Sequence, residues 1–176
     1  MNQIVVAGWY KIASYVLMFF ASFFSLMLLF ILPFAFAEPA LLLGVFIVAG
    51  VVLYSFSSFR FMKKGLGEGH VFRSRFKDFI KVNAFVVLFF VLQSFVGITD
   101  ILMKKELLTQ LVDTILSQNS ESFSQLTPAQ LKDLKKELVS SVEIVIWVFL
   151  IYAAILTAHV IHSFRLLKKN NHLFVG

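Results

Sequence analysis

The side chains with the most chemistry to offer are His159 and His162, which stand at i and i+3 and share one face of a helix. Neutral imidazoles at that spacing could ligate a transition metal, or one of them could hold a haem axially. A fuller metal site would recruit His70, so His70, His159 and His162 are the candidate ligands. Bis-histidine haem ligation normally needs a second helix, and no other long apolar run in the chain carries a histidine. A plainer role accounts for the pair: polar groups near a membrane interface, bonded to lipid headgroups or to neighbouring helices. No metal and no cofactor is therefore expected.

Three carboxylates, Glu38, Asp100 and Glu143, border apolar runs and could draw cations to a pore mouth if they met. Asp100 has Lys104 one turn later, and charge costs little at a span end, so interfacial solvation accounts for them equally well. Gly65, Gly67 and Gly69 alternate after Lys63-Lys64 and read as a flexible turn. They follow no strand and lack the Gly-Lys-Ser/Thr ending of a phosphate loop. The chain has no cysteine, which excludes disulfide frameworks, thiol redox catalysis and thiolate metal sites.

The elements that must carry these residues follow from hydropathy. Of 176 residues, 59% are hydrophobic and 15% charged, well outside the composition of an ordinary soluble domain. Uncharged runs of 26, 21, 18 and 21 residues separate Lys11 from Glu38, Glu38 from Arg60, Lys81 from Asp100 and Glu143 from Arg165. Each is long enough to cross about 30 Å of hydrocarbon as a helix. The alternation that a closed barrel needs is absent. The expected fold is all-α, with four transmembrane helices near 12–36, 40–60, 82–103 and 143–165. Ala35-Phe36-Ala37 resembles a signal-cleavage site, but the apolar run before it exceeds a signal h-region, so the first span is expected to be retained.

Charge gives an orientation. Lys11, the segment 60–81 and the tail from Arg165 hold 11 cations and 2 acids, whereas Glu38 and the stretch 100–143 hold 5 cations and 8 acids. The positive-inside rule puts the first group and both termini in the cytoplasm. A net charge of +6 divided in this way points to anionic inner-leaflet lipid rather than nucleic acid. The expected lipid contacts are Arg60, Lys63, Lys64, Arg73, Arg75, Lys77, Arg165, Lys168 and Lys169. Within the basic loop 61–81, Phe72, Phe76, Phe79 and Ile80 fall at i, i+4, i+7 and i+8. That spacing predicts an amphipathic interfacial helix leading into the third span.

The chain also matches itself. Lys11–Phe20 aligns with Lys81–Phe90 at four of ten positions, and Ser58–Lys64 with Ser163–Lys169 at five of seven. The offsets are 70 and 105, so a two-helix unit is expected to occur twice, in parallel, with 35 residues added between spans three and four. That addition, 104–142, reads as an extramembrane helical hairpin. Leu108, Leu111 and Ile115 on one arm face Leu131, Leu134 and Leu138 on the other, across a polar turn at Ser117–Ser124. Thr127-Pro128-Ala129-Gln130 combines a capping box with proline at the first helical position, and marks the second arm's start. Asn83, Gln93 and Ser94 could bond across helices. Ala40/Gly44, Ala154/Ala158 and Ala49-Gly50 are places for close approach.

With its two-helix units, the Gly69-His70-Val71-Phe72 turn, the basic re-entry and the Lys/Asn tail, the chain resembles small uncharacterised four-span bacterial membrane proteins. The resemblance implies a bacterial inner membrane and no activity, and the long hairpin departs from it. The leading functional expectation is a non-enzymatic accessory, scaffold or sensor subunit. It would act through the hairpin or the basic face, on a membrane-protein partner or as a homo-oligomer. A small oligomeric channel or transporter is the alternative, and a metal- or haem-binding membrane anchor the second alternative.

Overall fold

The computed structural model describes residues 7–119, 123 and 126–176, and is about 90% helical. Among the described residues four helical stretches are long and apolar enough to cross a membrane: Gly8–Ala37, Pro39–Gly67, Ser74–Met103 and Pro128–Lys169. The protein is therefore read as an integral membrane protein. The chain divides into two compact units, one made of the residues up to Val91 together with Ile155–Gly176, the other Leu92–Ala154.

In the first unit, α1 (Gly8–Ala37) turns Tyr10, Ala13, Ser14, Leu17 and Ala21 inward at helical spacing. The same helix leaves Phe19, Phe23 and Phe30 exposed, as hydrocarbon-facing side chains should be. The helix stops at Glu38, whose extended backbone (φ −126°, ψ 94°) is what the following Pro39 demands. A short 3₁₀ turn, Pro39–Leu41, leads into α2 (Leu42–Arg60). Helix α2 packs along α1. Gly50 of α2 is a point of close approach, because a β-carbon there would collide with Val86 of α3 (Ser74–Met103).

The helices overrun the expected spans 12–36, 82–103 and 143–165, beginning at Gly8, Ser74 and Pro128. Hydropathy delimits the part that needs hydrocarbon, whereas the backbone ladder continues until a cap or a proline ends it. The basic loop 61–81 is likewise more ordered than expected. Phe61–Gly67 forms a π-helical turn directly on the end of α2. Gly65 lies in it and is not part of a slack linker: an added β-carbon would stand 3.0 Å from the rings of both Phe61 and Phe72. Gly69 closes the turn in the left-handed region (φ 70°), which lets the His70 N–H reach back to the Lys64 carbonyl at 2.9 Å.

The expected amphipathic helix is not a separate element. Phe72–Arg73 is a short strand, β1, and the residues from Ser74 are the opening turns of α3. Phe72 and Ile80 are buried and Phe79 is 42% exposed, so the apolar residues do not share one lipid-facing stripe. Strand β1 pairs in parallel with β2 (Phe174–Val175), Phe72 opposite Phe174. Phe174 stacks on Phe61 and Phe72 at 5.6 and 6.2 Å, and Lys77 donates to Asn171 Oδ1 at 2.5 Å.

The second unit holds α4 (Lys105–Gln118) and the first part of α5 (Pro128–Lys169). Helix α3 does not run on into α4, because Lys104 is non-helical (φ −116°, ψ 84°) and separates them. Helix α5 is helical over 42 residues. Its start is the anticipated capping box: the Thr127 N–H donates to Gln130 Oε1 at 2.9 Å, and the Gln130 N–H to Thr127 Oγ1 at 3.4 Å. Lys135 and Asp113 meet at 2.6 Å, so α4 and α5 lie side by side here. Their contact differs from the expected leucine seam. Leu108 and Val112 are buried, whereas Leu111, Ile115 and Leu131 are 36–41% exposed, with Leu134 and Leu138 half-buried. A four-residue step from Leu108 keeps to the buried face of α4, while the three-residue step to Leu111 rotates off it. Of the expected turn, residues 120–122 and 124 lie outside the described residues.

A buried tyrosine, serine and histidine network

Where the inner faces of α1, α2 and α5 meet, five polar side chains form one hydrogen-bonded network inside the first unit. His159 is fully buried. Its Nε2 lies 2.8 Å from Ser14 Oγ and its Nδ1 lies 2.8 Å from the Tyr54 hydroxyl. The Tyr54 hydroxyl donates to Ser163 Oγ at 2.9 Å, and Ser163 Oγ is 2.8 Å from the Tyr10 hydroxyl. The Tyr10 ring stacks on the imidazole, with centroids 4.4 Å apart and planes within 5°. Each group comes from the buried stripe of its helix, and each brings a polar atom into a region where an unpaired one is costly.

The arrangement fixes much of the proton placement. Ser14 donates its single proton to the Tyr10 carbonyl one turn back, at 2.8 Å. The Ser14 oxygen is then an acceptor for Nε2–H, and in a neutral imidazole Nδ1 must accept. Tyr54 has one proton for two acceptors, His159 Nδ1 and Ser163 Oγ, so its hydroxyl rotor links the two halves of the network.

This geometry bears on two kinds of chemistry. A serine, a histidine and an orienting third group have the outline of a hydrolytic triad, but here the serine proton points away from the imidazole. Ser14 is also 1% exposed, which leaves no approach for a substrate. A metal would have to displace Ser14 or Tyr54, because both ring nitrogens of His159 are already engaged. His162 is half-buried and touches Trp9 and Tyr10 at ring distances of 4.9 and 5.1 Å, while His70 lies exposed against Phe72 at 4.8 Å. Among the described residues no three His, Cys, Asp or Glu side chains gather as a metal group would require.

The other anticipated residues fall as follows. Asn83 is buried but donates to the Phe79 carbonyl of its own helix at 2.8 Å and not across helices. Gly44 has open space around it, so the close approach belongs to Gly50. Arg60, Lys63, Lys64, Arg73, Arg75, Arg165, Lys168 and Lys169 are exposed, and Lys77 is half-buried. Arg60 also lies over the rings of Phe72 and Phe76, at 5.9 and 5.7 Å. Tyr10, Ser14, Tyr54 and Ser163 were not singled out by sequence as a site. The one available signal was the 105-residue offset, which sets Tyr54 opposite His159. Comparison of the chain with protein-family models, curated proteins and solved structures finds no significant match.

Proposed function

We propose that this is a non-enzymatic integral membrane protein, an accessory, scaffold or sensor subunit that works through a basic face held against anionic lipid. One observation carries the reading. Among the described residues, Arg60, Lys63, Lys64, Arg73, Arg75, Lys77, Arg165, Lys168 and Lys169 have no carboxylate within 4.0 Å, and in the segment 60–81 Lys81 alone has one, Asp78 at 3.8 Å. Cations left without internal counterions have their counterions elsewhere, and anionic headgroups supply them. The same bias supports both termini in the cytoplasm of a bacterial cell and the segment 104–142 on the opposite side.

The reading includes duplication of a two-helix unit, in parallel. Burial supports it independently of residue identity. Tyr10, Ala13, Ser14 and Leu17 of α1 are buried, and so are Ile80, Asn83, Ala84 and Val87, each 70 residues on. Val51, Tyr54, Ser55, Ser58 and Phe61 are buried, and so are Leu156, His159, Val160, Ser163 and Leu166, each 105 residues on. Tyr54 and His159, equivalent positions in the two units, bond to each other, as residues beside a two-fold axis do.

Because the chain lacks cysteine, single engineered thiols report topology without background. In intact cells an impermeant maleimide should label Gln118→Cys and spare Lys63→Cys and Lys168→Cys. The opposite pattern overturns the orientation. In reconstituted bilayers, wild-type protein should enrich phosphatidylglycerol over phosphatidylcholine in its lipid shell, and equal retention of the two overturns the lipid reading.

A further inference from the structure

An open apolar groove of about 280 Å³ runs along the seam of α1 and α5, lined by Trp9, Ile12, Ala13, Val16, Ile155 and Ala158. Two of its lining residues, Ala13 and Ala158, directly precede Ser14 and His159 in the chain. On α5 the residues lining the groove continue a helical stripe: Ile155, Ala158, His162, Arg165, Lys169, in steps of three and four. The stripe therefore passes from apolar to cationic within four turns. Trp9 marks the change, its indole packed against the His162 ring at 4.9 Å. Arg165 and Lys169 are exposed and have no carboxylate partner among the described residues.

We infer that this seam is a discrete binding site for one anionic phospholipid, with an acyl chain in the α1–α5 groove and the phosphate held by Arg165 and Lys169 at its cationic end. Three features commit the occupant to a lipid. The groove has an apolar lining within membrane-spanning helices, so what fills it is hydrocarbon. An indole at the junction is the side chain suited to the boundary between chain and headgroup. The charge at the mouth is of one sign, complementary to a phosphodiester. A free anion would gain nothing from the groove, and a zwitterionic lipid, whose headgroup carries its own cation, gains less from the arginine and lysine. The inference rests on the proposed reading of the basic face, but narrows it to one seam.

The test is native mass spectrometry of full-length protein released from phosphatidylcholine bilayers doped with phosphatidylglycerol. Wild-type chain should retain one phosphatidylglycerol. Ala158→Phe fills the groove at an exposed position, and Ile12→Trp does so from the facing helix, at a residue 67% exposed. Either should abolish the retained lipid at unchanged helicity, so that a folding defect in one leaves the other decisive. Arg165→Gln with Lys169→Gln should lower retention about 25-fold, about fivefold for each cation. Arg73→Gln with Arg75→Gln, away from the seam, should weaken the overall lipid preference and keep the single retained molecule. If the seam variants keep that molecule and only the Arg73/Arg75 pair loses it, the groove assignment is wrong and the basic-face reading stands. If wild type retains phosphatidylcholine equally, both fail.

Discussion

The most searching test of the network is the coupling between Tyr54 and His159. Replacing His159 by Leu keeps much of the volume but removes two hydrogen bonds and a stacked ring pair. Interhelical hydrogen bonds in a bilayer average about 0.6 kcal/mol each, and a well-formed aromatic stack adds about 1 kcal/mol, so the loss should be about 2 kcal/mol. Tyr54→Phe removes the hydroxyl whose one proton His159 and Ser163 share and leaves Nδ1 unpaired in a buried site, which should cost about 1.5 kcal/mol. In the His159→Leu background the same tyrosine change forfeits only the Ser163 bond, about 0.6 kcal/mol. The cycle should therefore show a coupling of about 1 kcal/mol. Reversible unfolding in mixed micelles, followed by the fluorescence of Trp9 and Trp147, measures it. His70→Ala is the control partner, because His70 is exposed and outside the network. Additivity of Tyr54→Phe and His159→Leu to within about 0.3 kcal/mol would refute the network as drawn.

Further expectations follow from individual contacts. Gly50→Ala should destabilise the protein by about 1–3 kcal/mol through its collision with Val86, while Gly44→Ala, in open space, should shift the unfolding midpoint hardly at all. Thr127→Ala should weaken the start of α5 by about 1 kcal/mol, seen as faster amide exchange in its first turn and not near Ser163. A zero-length carbodiimide should join the peptides bearing Asp113 and Lys135. Asp113→Asn should abolish that product while changing stability by less than about 1 kcal/mol, since both side chains are partly exposed.

Much of the architecture was legible because a bilayer forbids unpaired charge. Lys11, Glu38, Arg60, Lys81, Asp100, Glu143 and Arg165 bracket the spans for that reason. The capping box at Thr127 was readable because it is local, four residues that complete one another's backbone bonds. What escaped the sequence depends on distance along the chain or on a small rotation. Ser14 and His159 are 145 residues apart, and nothing in either neighbourhood names the other. The two-residue strands at Phe72 and Phe174 have meaning only as a pair. On α4 the leucine pattern favoured a seam through Leu111, but Val112 lies on the buried face, and a single-residue step rotates a helix by about 100°. His159 was flagged as chemistry and the structure uses it as a joint, because tyrosine and serine supply both of its bonds.

That joint also constrains how the protein is made. Helices enter the membrane in the order in which the ribosome delivers them, N-terminal first. Tyr10, Ser14 and Tyr54 are delivered early, and Ser14 satisfies its own hydroxyl proton on the backbone, at the Tyr10 carbonyl. The imidazole, which has no such local remedy, arrives on the last helix. Biogenesis thus delays the group most expensive to strand in oil until its partners are already waiting, and a chain shuffled to lead with His159 would meet its translocon without them.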